Sequence, residues 1–536
     1  MDFTSLYASS FTILSPDGAL LAAFTPSLLV LRDAASFQVL HSWPWQTSKT
    51  SRISPKSSTH LAFSPDSRYL LAADSESALV NVYDVASDQP AACIKSGSEG
   101  LQGARWINAG TGRRWLACWS KHSIRITVWN LESSKQHLVN SPKCTASGGW
   151  AIHPVHKDYL GLLERHKGKD HLGIYELEHF SLVRHQVLPT MDAYDLSWSP
   201  CGRYIAVWES SLEYGLHILT PDGRLLHSHL LSTQHDICGL GIRSVAWHPS
   251  GRFLAVGGYD ERIRILSDIG WATVAEVEMP GSTWSSSARK TGRIAAHHEP
   301  ASWLCALQAS PSIVTFGIAS TPIASLSSPP PHTHSSSRAP AAKDLGISCL
   351  SFSPSGAFLA ASTAASPERV LLLGFIRSSE ALPFTALRPR ICSIILCNKA
   401  VVACVWRPPR SRLPCHTEAE GDLEGECLAI ATGEKSVLMW TESPSEDDEE
   451  DEQGPEPEAQ IKPGVMEGIG VPSTTTTTFE ASDIRWSIDG SCIVLSGSDK
   501  FCLAYPLPSG QSVLGSMLKF QLDCTVDDAG IQKVSA

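Results

Sequence analysis

Histidine pairs are the first places in this chain where residue type and spacing could do chemistry. His332 and His334 stand one residue apart and His297 and His298 are adjacent, spacings at which imidazoles can share a metal ion. Neither pair has a third or fourth ligand at a fixed distance, so both read as solvated loop histidines and no metal ligand is assigned. Thr432-Gly433-Glu434-Lys435-Ser436 ends like a phosphate-binding loop. It lacks the Gly-Lys pair that would set an ammonium on the phosphates, and its flanks read strand, turn, strand. Gly239-Leu240-Gly241-Ile242-Arg243-Ser244 starts like a dinucleotide fingerprint but has no third glycine and leads into a strand. There is no Gly-x-Ser-x-Gly elbow and no His-Glu-x-x-His, so no catalytic residue and no cofactor site is expected and the chain reads as a non-enzyme.

Charge clusters come next. Arg388-Pro389-Arg390 and Arg407-Pro408-Pro409-Arg410-Ser411-Arg412 are basic runs, and Arg407 and Arg410 are candidate contacts for an acidic partner surface. Glu446-Asp447-Asp448-Glu449-Glu450-Asp451-Glu452 is the opposite case, and Ser445 just ahead of it fits an acidophilic phosphorylation site. The net charge of −11 is local, because ten acidic residues and no Lys or Arg fall between Thr441 and Gln460. The remainder is close to neutral, which offers no electrostatic footprint for nucleic acid or an anionic membrane.

What would position any of these residues is a repeat. Its clearest copy runs from Ser244 to Leu266: a short strand ending in Trp247, the turn His248-Pro249-Ser250-Gly251, a second apolar strand, a polar turn and a third strand. Pro fixes φ in such a turn and Gly tolerates positive φ, while short apolar runs between turn residues are the mark of antiparallel hairpins. Anchor aromatics place nine copies, at Phe11, Phe63, Trp106, Trp150, Trp198, Trp247, Phe352, Trp406 and Trp486. A unit near 45 to 50 residues long cannot bury both sheet faces alone, and a closed ring of four-stranded blades can. The expected fold is an all-β, WD40-type β-propeller of about nine repeat units with two low-complexity loop insertions. No Trp-Asp or Gly-His dipeptide occurs, so the hydrogen bonds those residues make must be rebuilt. Nine units are too many for one seven-bladed ring and too few for two.

The divisions read as repeats one to six over 1–280, a Ser/Pro/His-rich insertion over 281–343 and repeats seven and eight over 344–440. An acidic and Thr-rich insertion follows over 441–480, and the last repeat and tail over 481–536. The insertions read as mobile loops, with one apolar island from Trp303 to Ala319 able to add a strand or two to a blade. No apolar run reaches about 18 residues and Met1-Asp2-Phe3-Thr4 has no basic region, so neither membrane insertion nor a secretory signal is expected. Fifteen cysteines, an odd number without Cys-x-x-Cys, fit free thiols in a reducing cytoplasm.

Ile205-Ala206-Val207-Trp208-Glu209-Ser210-Ser211-Leu212-Glu213-Tyr214, then Thr220-Pro221-Asp222-Gly223-Arg224, then Leu240-Gly241-Ile242-Arg243-Ser244 resemble the WD repeat-containing protein eight family. These are the WRAP-type WD proteins of centrosomes and spindle pole bodies. Collinear matches continue at Ile124-Arg125-Ile126-Thr127-Val128-Trp129, Ala255-Val256-Gly257-Gly258-Tyr259-Asp260 and Ser498-Asp499-Lys500-Phe501-Cys502-Leu503. The insertions depart from the family and read as a fungal elaboration. The resemblance implies a scaffold that binds a coiled-coil anchoring protein at the microtubule-organising centre, tethers microtubule minus ends in spindle assembly, and works in fungi with a minus-end-directed kinesin. It carries over no catalytic residue. Glu213 and Tyr214, in the best-matched stretch, are the partner-binding candidates. The alternative is a substrate-adaptor or chromatin- or ubiquitin-pathway propeller; a propeller enzyme would need polar side chains converging on the channel.

Overall fold

The computed structural model of the chain describes residues 2–3, 6–8, 11–25, 27–45, 61–87, 89–108, 114–230, 241–280, 293–299, 313–322, 326, 345–375, 389–409, 425–434, 436–443, 462–470, 479–497 and 500–505. These residues form nine sheets in a closed ring, an all-β propeller of nine blades. Blade four is representative, with antiparallel strands Trp150–Ile152, Tyr159–His166, Lys169–Glu176 and Ser181–Val187 in sequence order from the channel outward.

The turn chemistry explains why each blade folds on itself. In five blades the Ser of the first turn accepts the N–H of the residue five positions on: Leu20 to Ser15 Oγ, Tyr69 to Ser64, Tyr204 to Ser199, Phe358 to Ser353 and Cys492 to Ser487, at 2.8–3.1 Å. That bond closes the hairpin between first and second strands. Second strands are not alternating: every residue of Ile205–Glu209 and of Phe253–Gly258 is buried. A blade in a ring is covered on both faces, so its central strand is apolar on both.

Nine separate apolar clusters occupy the nine joints between neighbouring blades. The ninth closes the circle, packing Leu21 and Ala23 of blade one against Val494, Phe501 and Leu503 of blade nine. Blade nine is completed by the N-terminal strands Asp2–Phe3 and Tyr7–Ala8, both paired with Lys500–Tyr505. One ring therefore accounts for all nine units.

All nine anchor aromatics lie on first strands, and Phe11, Phe63, Trp106, Trp198 and Trp406 are buried. Trp150, Trp247, Phe352 and Trp486 are half-buried. The hydrogen bonds across the joints correct the alignment at one of them, and the position of the turn serine at a second. Trp106, Trp198, Trp406 and Trp486 each donate their indole N–H to a first-strand carbonyl of the preceding blade, Ala62, Ala151, Ser351 and Val405, at 2.9–3.2 Å. Each acceptor stands one residue before the anchor position, which makes Ile152 the anchor of blade four in place of Trp150. Leu14, next to the turn serine, takes the same place in blade one.

The insertions also differ from a reading as projecting loops. Within 281–343, Arg293–His298 pairs in parallel with the outer strand Pro389–Leu396 of blade seven and Ile318–Pro322 pairs outside it. Ile313–Phe316 adds a fifth strand to blade eight, against Val465–Gly470. Val465–Gly470 lies within the span read as the acidic insertion and is the fourth strand of blade eight. The physical reason is the open edge: unpaired N–H and C=O groups on an outer strand are satisfied by further pairing. The carbonyl of Pro463 anchors this corner, accepting from Trp440 Nε1 at 2.9 Å and facing His297 Nε2 at 3.1 Å. Most of the rest of both insertions, with His332, His334 and the acidic run, lies outside the described residues, while Leu326 and Phe479 are buried in the joints.

Candidate partner-binding face

The two ends of the ring differ in chemistry. At one end the first turns of successive blades are bonded to one another. His153 Nε2 lies 3.2 Å from Gly202 O, His248 Nε2 3.2 Å from Gly356 O, and Arg407 Nε donates to Gly490 O at 2.9 Å. Each receiving glycine has positive φ, 73°, 79° and 65°, and at Gly202 and Gly356 an added Cβ would strike the histidine ring. Blades four, six and eight thus clasp blades five, seven and nine.

Arg407 is therefore part of the ring's construction. It is 9% exposed and its guanidinium lies 5.7 Å from the Trp486 ring centroid. Its neighbour in the basic run, Arg410, lies outside the described residues, as does Ser445. His297 and His298 do not converge, since His297 is fully buried at Pro463 while His298 is exposed beside Thr321 Oγ1 at 3.1 Å.

The opposite end carries the best-matched stretch, at the junction of blades four and five. Leu212, Met191 and Tyr194 are 76%, 72% and 63% exposed, the highest values for large apolar side chains among the described residues. Leu212 and Glu213 form the tip of the turn before Gly215–Leu219. Met191 heads the neighbouring loop, and Tyr194 is the extra residue of a bulge in Ala193–Trp198. Ser210 N donates to Asp192 O at 3.0 Å and Met191 N to Glu209 Oε1 at 2.7 Å, which fixes loop and turn to each other.

A charged network stands beneath. Lys143 Nζ reaches Asp170 Oδ2 and Asp192 Oδ1, each at 2.8 Å, and Arg165 Nη1 reaches Asp192 Oδ1 at 3.1 Å. Asp170 is buried and also accepts from Ala193 N and Thr190 Oγ1. The hydrogen bond from Lys143 holds the Asp192 carboxyl below the usual carboxylate range, against a smaller opposing effect of burial. Burial pushes the Glu209 carboxyl up. The result is a rigid platform with three apolar side chains standing out of it.

Of the two candidates in this stretch, Glu213 is exposed on the platform and Tyr214 is half-buried. The Tyr214 ring packs with Trp208 and Leu216 and lies 5.3 Å from the Arg264 guanidinium, and burial pushes its hydroxyl up to about 12. Met191 and Tyr194 carried no motif. Their signal is a bulky apolar residue next to a turn, outside the buried pattern of its strand.

Comparison with known proteins agrees with the architecture. The WD40 family, described as WD domain, G-beta repeat, matches residues 221–267. The chain carries a WD repeat. The matched segment takes the outer strand Leu225–Leu230 of blade five and three strands of blade six, so repeat and blade are out of phase, as the closure of blade nine by the N-terminal strands also shows. Over 501 residues, 92% of each chain, it is 26% identical to the WD repeat-containing protein WRAP73 of Mus musculus. It is also 26% identical over 278 residues to an uncharacterised WD repeat-containing protein of Schizosaccharomyces pombe, covering 50% of this chain and 54% of that one. Among solved structures, the C-terminal WD40 domain of Sif2 superposes with a TM-score of 0.44 at 9% identity, covering 94% of this chain and 99% of that one. Sqt1 from Chaetomium thermophilum gives 0.46 at 14% identity, covering 84% and 96%. Among the described residues no helix is long and apolar enough to cross a membrane.

Proposed function

We propose that this nine-bladed ring is a non-enzymatic cytoplasmic scaffold of the microtubule-organising centre, the spindle pole body or centrosome, and a fungal member of the WRAP-type WD proteins. It seats a helical segment of a coiled-coil anchoring protein on the Met191, Tyr194 and Leu212 platform, and so helps tether microtubule minus ends during spindle assembly. A minus-end-directed kinesin is the second partner in this reading, and Arg410 and Ser445 are its candidate residues for contact and phosphorylation. The observation that carries the proposal is collinear similarity to a WD repeat-containing protein along 92% of both chains, together with exposed apolar side chains on a rigid support. An amphipathic helix binds through such anchors at i, i+3 and i+4.

A fluorescent fusion of the full chain in dividing cells tests it. The signal is expected at the spindle poles, with a coiled-coil pole component recovered on the wild type and lost with Met191→Asp/Leu212→Asp. A diffuse or nuclear signal, or recovery unaffected by the double substitution, overturns it.

A further inference from the structure

Blade four holds a side-chain cluster that neither ring closure nor the platform uses. Glu164 on Tyr159–His166 is buried, its side chain 4% exposed, although it is a carboxylate. Its Oε2 lies 2.8 Å from His166 Nε2 and 3.2 Å from His185 Nε2, while its Oε1 accepts the Tyr175 hydroxyl at 2.7 Å. The three residues come from two strands that are not neighbours, Tyr159–His166 and Ser181–Val187, and the strand between them makes the space. Gly173 pairs with His185 in that middle strand, and a Cβ there would strike Glu164 Oε1 and crowd the Tyr175 ring. His171 pairs with Glu164 and stacks on His185, ring centroids 4.5 Å apart and planes 8° apart, with its own Nδ1 fixed by Lys169 O at 2.9 Å.

We propose that Glu164, His166 and His185 form a three-ligand site for a divalent transition metal ion, zinc being the best match. Two imidazoles and one carboxylate are a zinc ligand set in sites that keep a fourth position for water. Their ligand atoms lie within 4.8 Å of one another. Bond lengths near 2.0–2.2 Å in a tetrahedron require ligand atoms about 3.3–3.6 Å apart. The observed 2.8 and 3.2 Å must open by under about 1 Å to reach that spacing. Tyr175 occupies Oε1, which leaves Oε2 as the single carboxylate donor, and it fixes the carboxylate as outer partners of metal ligands do. The His166 and His185 side chains are 36% and 32% exposed, so the ion enters from solvent. Binding takes neutral imidazoles and an ionised carboxylate, and releases any proton the histidines hold.

The test uses the full chain stripped with a chelator and titrated with Zn²⁺ in the presence of a competing chromophoric chelator, with Co²⁺ absorption as a second readout. One equivalent should bind, with Co²⁺ bands of tetrahedral or five-coordinate intensity and a zinc-dependent rise in melting temperature. The double variant His166→Gln/His185→Gln should lose that equivalent and the rise. Tyr175→Phe should bind about 10- to 100-fold more weakly. Glu164→Gln, which keeps an acceptor for Tyr175, guards against misfolding and should lose the Co²⁺ bands with its apo melting temperature retained. Binding to the wild type no stronger than to the double variant, or Co²⁺ spectra unchanged by Glu164→Gln, overturns the site.

Discussion

The joint between blades four and five and the joint between five and six are built from the same repeat and held in different ways. Across the first, Trp198 donates to Ala151 O at 3.1 Å, His153 meets Gly202 O, Gly149 N donates to Asp195 Oδ1 at 2.6 Å and Ala193 N to Asp170 Oδ2 at 2.6 Å. Across the second, Trp247 Nε1 is buried and finds no acceptor among the described residues. The residue in the turn is Cys201, whose Sγ stays 3.9 Å from Gly251 O. What fills that joint is mainly apolar, Ala206, Trp208, Ile218, Ile242, Leu254, Val256 and Trp271, with one backbone hydrogen bond from Gly241 N to Ser211 O at 2.9 Å and the Arg264 guanidinium against the Tyr214 ring. Packing carries most of this joint, each buried aliphatic side chain contributing about 1.5–3 kcal/mol. The polar links of the first joint add a fixed alignment between blades, since a shifted blade would leave buried donors unsatisfied.

Breaking the polar support of the first joint should have the largest effect. Lys143→Met leaves Asp170 buried with a weakened counter-charge and should cost about 3–5 kcal/mol in urea unfolding, with part recovered by adding Asp170→Asn. The indoles sharpen the contrast. Trp198→Phe removes a hydrogen bond across the joint, a loss of about 0.5–1.5 kcal/mol, whereas Trp247→Phe removes a donor already unpaired and should shift the urea midpoint by less than half as much. Equal shifts would mean that the two joints are equivalent after all.

The third prediction is a pH profile. Burial lowers the proton affinity of His153, and likewise of His217, His229 and His297. A histidine whose folded value lies below the unfolded value of about 6.5 binds protons more readily when unfolded, so its contribution is complete above that pH and lost as pH falls through the folded value. Melting temperature should decline as pH drops below about 6.5. His153→Gln, which can still donate to Gly202 O, should flatten part of the decline. The smallest effect belongs to the platform, where Met191→Ser/Leu212→Ser should change stability by no more than about 0.5 kcal/mol while weakening capture of a helical partner.

The repeats were legible because Pro, Gly and Ser mark the turns and because an apolar second strand is flanked by them. Alignment was legible only where the anchor is aromatic; Leu14 and Ile152 hold the same position without showing it. Arg407 read as a candidate contact for an acidic partner, yet it directly follows its anchor, as His248 follows Trp247, and the repeat itself carried that signal. The Glu164, His166 and His185 cluster left none, since residues 19 apart meet only through the pairing of three strands around Gly173. Ile313–Phe316 was legible as part of an apolar island, whereas Arg293–His298 and Val465–Gly470 were hidden because edge pairing uses backbone groups, which a low-complexity composition does not reveal.

The pairing of Asp2–Phe3 and Tyr7–Ala8 with Lys500–Tyr505 sets an order of events during synthesis. Both strands are made well ahead of the one they pair with, so the closing joint waits until the chain between Ala8 and Lys500 has emerged. At about 5–20 residues per second the wait is roughly half a minute to well over a minute, during which Tyr7, Leu21 and Ala23 have no blade nine to cover them. A translation product that stops short of Lys500 is left with an uncovered strand edge at each end of an open arc, the geometry that invites strand exchange between chains.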